Sequence, residues 1–160
     1  MNPKRWSGVF VMLLLYPGFA LSQTNWPGFM PTLVPGVSVS SVAAIVPLSV
    51  VVEPPKADVP PDKARWSCKW SGWLCQDQVC DTKLIVEKMN AGGATIIYAF
   101  ASSNVKPFTA RVEAQFAGGE LQAAQGNGAT LAYRMREAGD LEFLWRREGR
   151  WVAGILSKDK

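Results

Sequence analysis

From Ala110 to Ala117 the chain reads ARVEAQFA, with Val112, Ala114 and Phe116 on one side and Arg111, Glu113 and Gln115 on the other. The same two-residue period returns in TLAYRMR, where Leu131, Tyr133 and Met135 stand against Arg134 and Arg136. It returns again in LEFLWRR, where Leu141, Phe143 and Trp145 stand against Glu142 and Arg146. Successive side chains of an extended strand point to opposite faces, so each segment predicts a strand with one dry and one wet face. Eight segments of this kind can be read: Ala64–Leu74, Thr82–Met89, Ala94–Ala101, Ala110–Ala117, Glu120–Gln125, Ala129–Arg136, Leu141–Arg147 and Trp151–Ser157.

The breaks between them are turn chemistry: Asn90-Ala91-Gly92-Gly93, Gly118-Gly119, Gly126-Asn127-Gly128, Ala138-Gly139-Asp140 and Glu148-Gly149-Arg150. Glycine and asparagine supply the positive φ of tight hairpin turns, so the strands follow one another as a meander. A flat meander leaves two edges and one apolar face uncovered, and closure removes both problems. The predicted fold is all-β, a small eight-stranded antiparallel up-and-down barrel over residues 66–160.

The residues before the barrel follow other patterns. Lys4 and Arg5 precede an uncharged run from Gly8 to Leu21, and Ala20 and Ser22 form a small-residue cleavage site before Gln23. This is the pattern of a signal peptide over residues 1–22, and it places the mature protein outside the cytoplasm, secreted or periplasmic. Residues 23–65 hold eight of the chain's prolines and no charge before Glu53, and read as a Pro- and Val-rich disordered tether. Within it, LVPGVSVSSVAAIVPLSVVV is twenty residues long and uncharged. Pro35, Gly36, Pro47 and its serines argue against a membrane span, but an uncovered valine run is sticky, so it is expected to be covered by the domain or by a partner, and residues 23–52 are a candidate surface for a protein partner.

The chain carries 17 basic and 13 acidic residues. Two of the basic ones fall in the expected signal, and the rest are mixed with acids along the strands, which disfavours nucleic acid as a partner. There is no histidine. That removes serine–histidine and cysteine–histidine pairs, and Glu113, Glu120, Glu137 and Glu142 read as exterior or turn residues, so no catalytic role and no cofactor is expected.

All three cysteines and three tryptophans fall in ARWSCKWSGWLCQDQVC, Ala64 to Cys80. Three thiols spaced C-x6-C-x4-C without histidine do not make a structural metal site, which takes four ligands. Cys68 and Cys75 on one strand stand roughly 23 Å apart, beyond bridging distance. Cys75 and Cys80 flank the first turn and are the expected disulfide, worth about 2 kcal/mol. Such a bridge sets Trp70 opposite Ile85 and Trp66 opposite Met89, with Gly72 a candidate bulge. Cys68 is left as a buried thiol or as the link of a dimer.

A tryptophan–glycine signal on the first strand, an eight-strand meander and basic residues on the seventh strand resemble the lipocalin-like barrels of the calycin group. The resemblance spans Trp66 to Lys160. This chain reads Trp70-Ser71-Gly72-Trp73 where that family has Gly-x-Trp, and it lacks the C-terminal helix of most lipocalins. In that family a strand-one tryptophan closes the barrel floor under a late arginine, which implies Trp70 or Trp73 paired with Arg146 or Arg147. In size the barrel is nearer to avidins and to small periplasmic inhibitors of metalloproteases, whose N-terminal segment enters the protease cleft.

The expected function is a non-catalytic module holding a small apolar or aromatic ligand, or a glycan, at the barrel mouth. Its candidate residues are Trp70, Trp73, Tyr98, Phe100, Tyr133, Phe143 and Trp145, with Phe116 also inward and Ser102-Ser103-Asn104 at one rim. The alternative is a protein-interaction role, inhibitor-like or as an envelope partner, through the N-terminal tail and the rim. Because an eight-stranded barrel is just wide enough for its own side chains, the aromatics can also serve purely as core.

Overall fold

The computed structural model describes residues 23–28, 42–75 and 79–160. The expected signal peptide, the 29–41 part of the expected tether and the tip of the first hairpin lie outside them. The strands are β1 (Lys69–Cys75), β2 (Val79–Met89), β3 (Gly93–Ser102), β4 (Val105–Ala117), β5 (Glu120–Ala124), β6 (Thr130–Met135), β7 (Leu141–Arg147) and β8 (Arg150–Lys158), preceded by the single helical turn α1 (Pro61–Ala64). Each strand pairs antiparallel with the next, and β8 pairs back with β1, so the sheet is a closed up-and-down barrel. The turns after β2, β4 and β6 lie at one end, called lower here, where the chain also enters. The turns after β3, β5 and β7 lie at the upper end.

Several turns use the glycines in the expected way. Gly118 and Gly119 hold φ of 57° and 83°, and Glu148-Gly149 hold 50° and 77°. Two consecutive residues at positive φ give the twist that a two-residue hairpin needs. Elsewhere glycine serves packing. Gly72 lies where β8 approaches so closely that a Cβ would collide with the Ile155 carbonyl oxygen. No bulge forms there. The ladder slips instead between Val86 and Lys88, which turns Glu87 outward to Arg111 in a two-pronged ion pair at 2.7 and 2.8 Å.

The β1–β2 register differs from expectation by one residue. Trp70 stands opposite Leu84, Leu74 opposite Cys80 and Cys75 opposite Val79. The Cys75–Cys80 bridge is therefore not part of the fold described here, and Cys80 is a free, buried thiol. The shift has a physical logic, because moving a strand by one residue exchanges its faces. In the observed register Trp70, Leu84 and Val86 are buried in the core, and Lys83 stands across from Ser71 on the outside. The bridged register would have turned Lys83 inward.

Trp66 does not belong to the first strand. It follows α1, is buried, and closes the lower end by packing edge-on against Phe116, with ring centres 5.6 Å apart. Its carbonyl accepts a hydrogen bond from Trp70 Nε1 at 3.1 Å. Lys63 Nζ caps the same floor by donating to the Ala91 carbonyl. Cys68 is half-buried and packs against this core cluster, which gives it a place in the floor rather than on a free surface.

β3 is buried along nearly its whole length, on both faces. Its inner side chains join the barrel core. Its outer ones, Ile97, Ala99 and Ala101, are covered by Val42–Val52, with Val50 on Ile85 and Ile97, and Ala44 on Ala99 and Ala101. This part of the expected tether is thus a strap on the outside of β2 and β3. The Ala44 amide donates to Asp81 Oδ2 at 2.7 Å in a buried contact, and the Glu53 amide donates to the Glu87 carbonyl at 2.6 Å. Residues 23–28 also contact the barrel exterior. Thr24 accepts from Gln122, and Arg134 lies 4.5 Å from the centre of the Trp26 ring. No helix among the described residues is long and apolar enough to cross a membrane.

Candidate ligand-binding site

The alternation seen in the sequence aims Tyr98 of β3, Tyr133 of β6 and Phe143 of β7 into one layer at mid-height. Tyr133 and Phe143 are directly paired and stacked, with centroids 4.6 Å apart and planes at 15°. Tyr98 meets Phe143 at 5.4 Å and Phe100 at 5.6 Å, and Phe100 continues to Phe108 of β4 at 5.5 Å. The layer is a gradient of exposure. Tyr98, Tyr133 and Phe143 are no more than 2% exposed, Phe100 is half-buried and Phe108 is 38% exposed. Trp145, half-buried, stands above Phe143 on β7 between Leu131 and Val152. The middle of the barrel is filled, as a barrel of this size permits, and the aromatic surface becomes accessible only toward the upper end.

Polar groups line the same region. Cys80 is hydrogen-bonded to Ser102, whose hydroxyl also accepts from the Asn104 amide at 3.3 Å. Burial pushes the Cys80 thiol above its ordinary value, against the opposing effect of Ser102. Burial also raises Tyr98, with a smaller push from a charge on Cys80, and raises Tyr133, with a smaller push from Tyr98. All three groups are therefore neutral at physiological pH. Two buried hydroxyls, Thr82 Oγ1 and Tyr133 Oη, have no hydrogen-bond partner among the described residues. A buried hydroxyl left unpaired costs about 1–3 kcal/mol, so these atoms are open to an acceptor or donor brought by something else.

Of the seven expected site residues, Tyr98, Phe100, Tyr133 and Phe143 come together, and Trp145 joins them from above. Trp70 is buried in the floor, at the other end of the barrel. Trp73, three residues on along β1, takes the outer face opposite Asp81 and Ile155. Neither forms the tryptophan–arginine pair implied by the lipocalin resemblance. Arg146 and Arg147 sit at the upper end of β7, and Arg146 donates to the Asn25 carbonyl. Phe108 and Thr82 were not singled out from the sequence, and Cys80 was singled out for a different role. Phe108 follows Pro107 in a stretch that alternates weakly. Cys80 was assigned to a bridge, and Thr82 reads as an ordinary strand residue.

Among the described residues no group of three or more histidine, cysteine, aspartate or glutamate side chains is placed to hold a metal. No protein-family model, no curated protein and no solved structure matches the chain. What the chain shares with the lipocalin-like barrels is thus the architecture itself: eight antiparallel strands in sequence order, closed on one another.

Proposed function

We propose that this protein is a non-catalytic binding module that takes a small apolar or aromatic ligand at the upper mouth of the barrel. The observation that carries this reading is the graded stack from buried Tyr133–Phe143–Tyr98 to half-buried Phe100 and exposed Phe108. A pure core would end in aliphatic packing or a covering loop, whereas this stack runs out to Phe108, which is 38% exposed. The uncharged interior favours a neutral ligand part, and the unpaired Thr82 and Tyr133 hydroxyls favour one that carries a hydrogen-bonding atom. A glycan whose sugar face lies on Phe108 or Trp145 would use the same surface. The signal-peptide pattern of residues 1–22 supports a secreted or periplasmic setting.

The test is intrinsic tryptophan fluorescence of the full chain, titrated with apolar aromatic probes and with oligosaccharides. A saturable change that disappears in Trp145→Ala supports the reading and names the ligand class. A folded protein that responds to none of them would reduce the interior to core.

A second reading, an interaction with another protein, is favoured by the strap. Its inner side chains are spent on the barrel, yet Ile45, Leu48 and Val51 are 63%, 105% and 70% exposed. Large apolar side chains grouped on one element in this way mark contact surfaces in soluble proteins.

A further inference from the structure

At the tip of the β7–β8 hairpin lies a cavity of about 440 Å³ that the aromatic mouth does not use. It is lined by Gly128, Thr130, Arg146, Arg147, Glu148, Gly149, Arg150 and Trp151. Three arginines and one glutamate are therefore among the residues that line one small space. The glutamate, Glu148, pairs with Arg147 at 3.3 Å and is mostly exposed, so it neutralises one of the three weakly. Neither Arg146 nor Arg150 has a carboxylate partner among the described residues.

Arg146 carries a further mark. One of its terminal nitrogens donates to the Asn25 carbonyl, while its Nε is buried and has no acceptor among the described residues. A buried cationic donor without a partner is costly, and it is satisfied by an anion. The β7–β8 register places Trp151 directly across from Arg146 and Arg150 across from Arg147. Trp151 is half-buried and contributes an indole to the same wall. The hairpin also holds Glu148 at φ 50°, a left-handed conformation that non-glycine residues adopt at some cost. That turn fixes the short loop joining Arg147 to Arg150.

We infer that this cavity is a binding site for a phosphate-bearing ligand, held by Arg146 with the carbon part of the ligand against Trp151 on the same face of the hairpin, and with Arg150 adding positive charge from the other face. Guanidinium is suited to this because its planar fork presents paired N–H donors to the oxygens of a phosphate, which an ammonium cannot do. The site is separate from the aromatic mouth and does not depend on the function proposed above. The phosphate could belong to a soluble phosphate ester or to an anionic lipid headgroup.

The experiment uses the full chain, the double variant Arg146→Gln/Arg150→Gln, and Lys160→Gln as a control for loss of a positive charge away from the hairpin. Calorimetric titration with inorganic phosphate and with a sugar phosphate, at constant ionic strength in chloride, forms one arm. Co-sedimentation with phosphatidylglycerol vesicles, against phosphatidylcholine vesicles, forms the other. Circular dichroism establishes that each variant is folded. The expected result is saturable binding in one arm, unchanged in Lys160→Gln and weakened at least about tenfold in the double variant. Binding of the sugar phosphate but not of vesicles assigns a soluble ester, and the reverse assigns a lipid headgroup. Arg146→Lys, which keeps the charge and loses the fork, should restore only part of the affinity. No saturable binding in either arm, or equal binding by the wild type and the double variant, would overturn the proposal.

Discussion

The amide of Ala44 donates a buried 2.7 Å hydrogen bond to the carboxylate of Asp81, across 37 residues of sequence. This contact ties the strap to the upper part of β2, beside the apolar outer face of β3. It converts a proline-rich stretch with no regular structure into a wall of the domain. Removing the carboxylate should leave the amide buried and unpaired, so Asp81→Ala should cost about 1–3 kcal/mol. Urea unfolding measures the loss. Hydrogen exchange should show faster exchange across residues 44–52 and little change in β5 to β7. Unchanged exchange in the strap would mean that Asp81 does not anchor it.

The register of β1 and β2 makes a prediction about redox state. With Cys80 opposite Leu74, peptide mapping of the protein under non-reducing conditions should recover Cys80 as a free thiol that reacts with iodoacetamide only after unfolding. A Cys75–Cys80 linked peptide would contradict the register. The thiol also imposes a pH dependence. Its folded value is raised above its ordinary 9.0, so the folded state holds its proton more tightly than the unfolded one. Its contribution to stability is full below about pH 9 and is lost as pH climbs above that. Tyr98 and Tyr133, raised in the same direction, add to the loss at higher pH. Denaturant midpoints should therefore fall between pH 8 and pH 10, and fall less in Cys80→Ala.

Two glycine-related substitutions should move stability in opposite directions. Gly72→Ala places a methyl group against the Ile155 backbone. Backbone cannot yield as a flexible side chain can, so a loss of about 1–3 kcal/mol is expected from thermal or urea unfolding. Glu148→Asn puts a residue tolerant of positive φ where a glutamate now stands at 50°. It should stabilise the hairpin by up to about 1 kcal/mol. A destabilised Glu148→Asn would show that its pairing with Arg147 outweighs the backbone strain.

The lone hydroxyls of the interior set stability against binding. Tyr133→Phe removes a buried oxygen that has no partner among the described residues, so it should be neutral or stabilising by about 1 kcal/mol. Thr82→Val makes the same change at nearly constant volume. If a ligand uses these groups, either variant should bind it more weakly while unfolding at the same or a higher urea concentration. Equal binding with equal stability would remove the hydroxyls from the site.

The barrel was largely legible in the sequence because its outward strand faces are charged. In ARVEAQFA and LEFLWRR dry positions recur at every second residue, with Leu144 the apolar interruption, and β4 and β7 appear where that pattern puts them. The strap was legible only as a need for cover on its valine run, because proline-rich segments lacking a period carry no signature of where they dock. A signal did exist on the receiving side. Ala94–Ala101 reads ATIIYAFA, with hardly a polar position, and a strand apolar on both faces needs cover on both. The register of β1 and β2 was missed for a different reason. Nearness in sequence made Cys75 and Cys80 look like partners, whereas burial of Trp70 against Leu84 and exposure of Lys83 decide the alignment. Within the candidate site, Tyr133 and Phe143 followed from alternation, and Tyr98 and Phe100 from their aromatic character on a strand without polar positions. Trp73 did not, because its face depends on which tryptophan of β1 points inward.

The most direct test of the binding role is a titration of N-phenyl-1-naphthylamine, a neutral apolar fluorophore, into the wild type, Phe100→Ala and Trp145→Ala. A cup at the upper mouth predicts saturable enhancement of probe fluorescence in the wild type. It also predicts affinity reduced about tenfold or more in each variant, since each removes an aromatic wall worth on the order of 1.5 kcal/mol. Flat, non-saturable fluorescence in the wild type, or identical saturation in all three proteins, would contradict it and leave the aromatic stack as core.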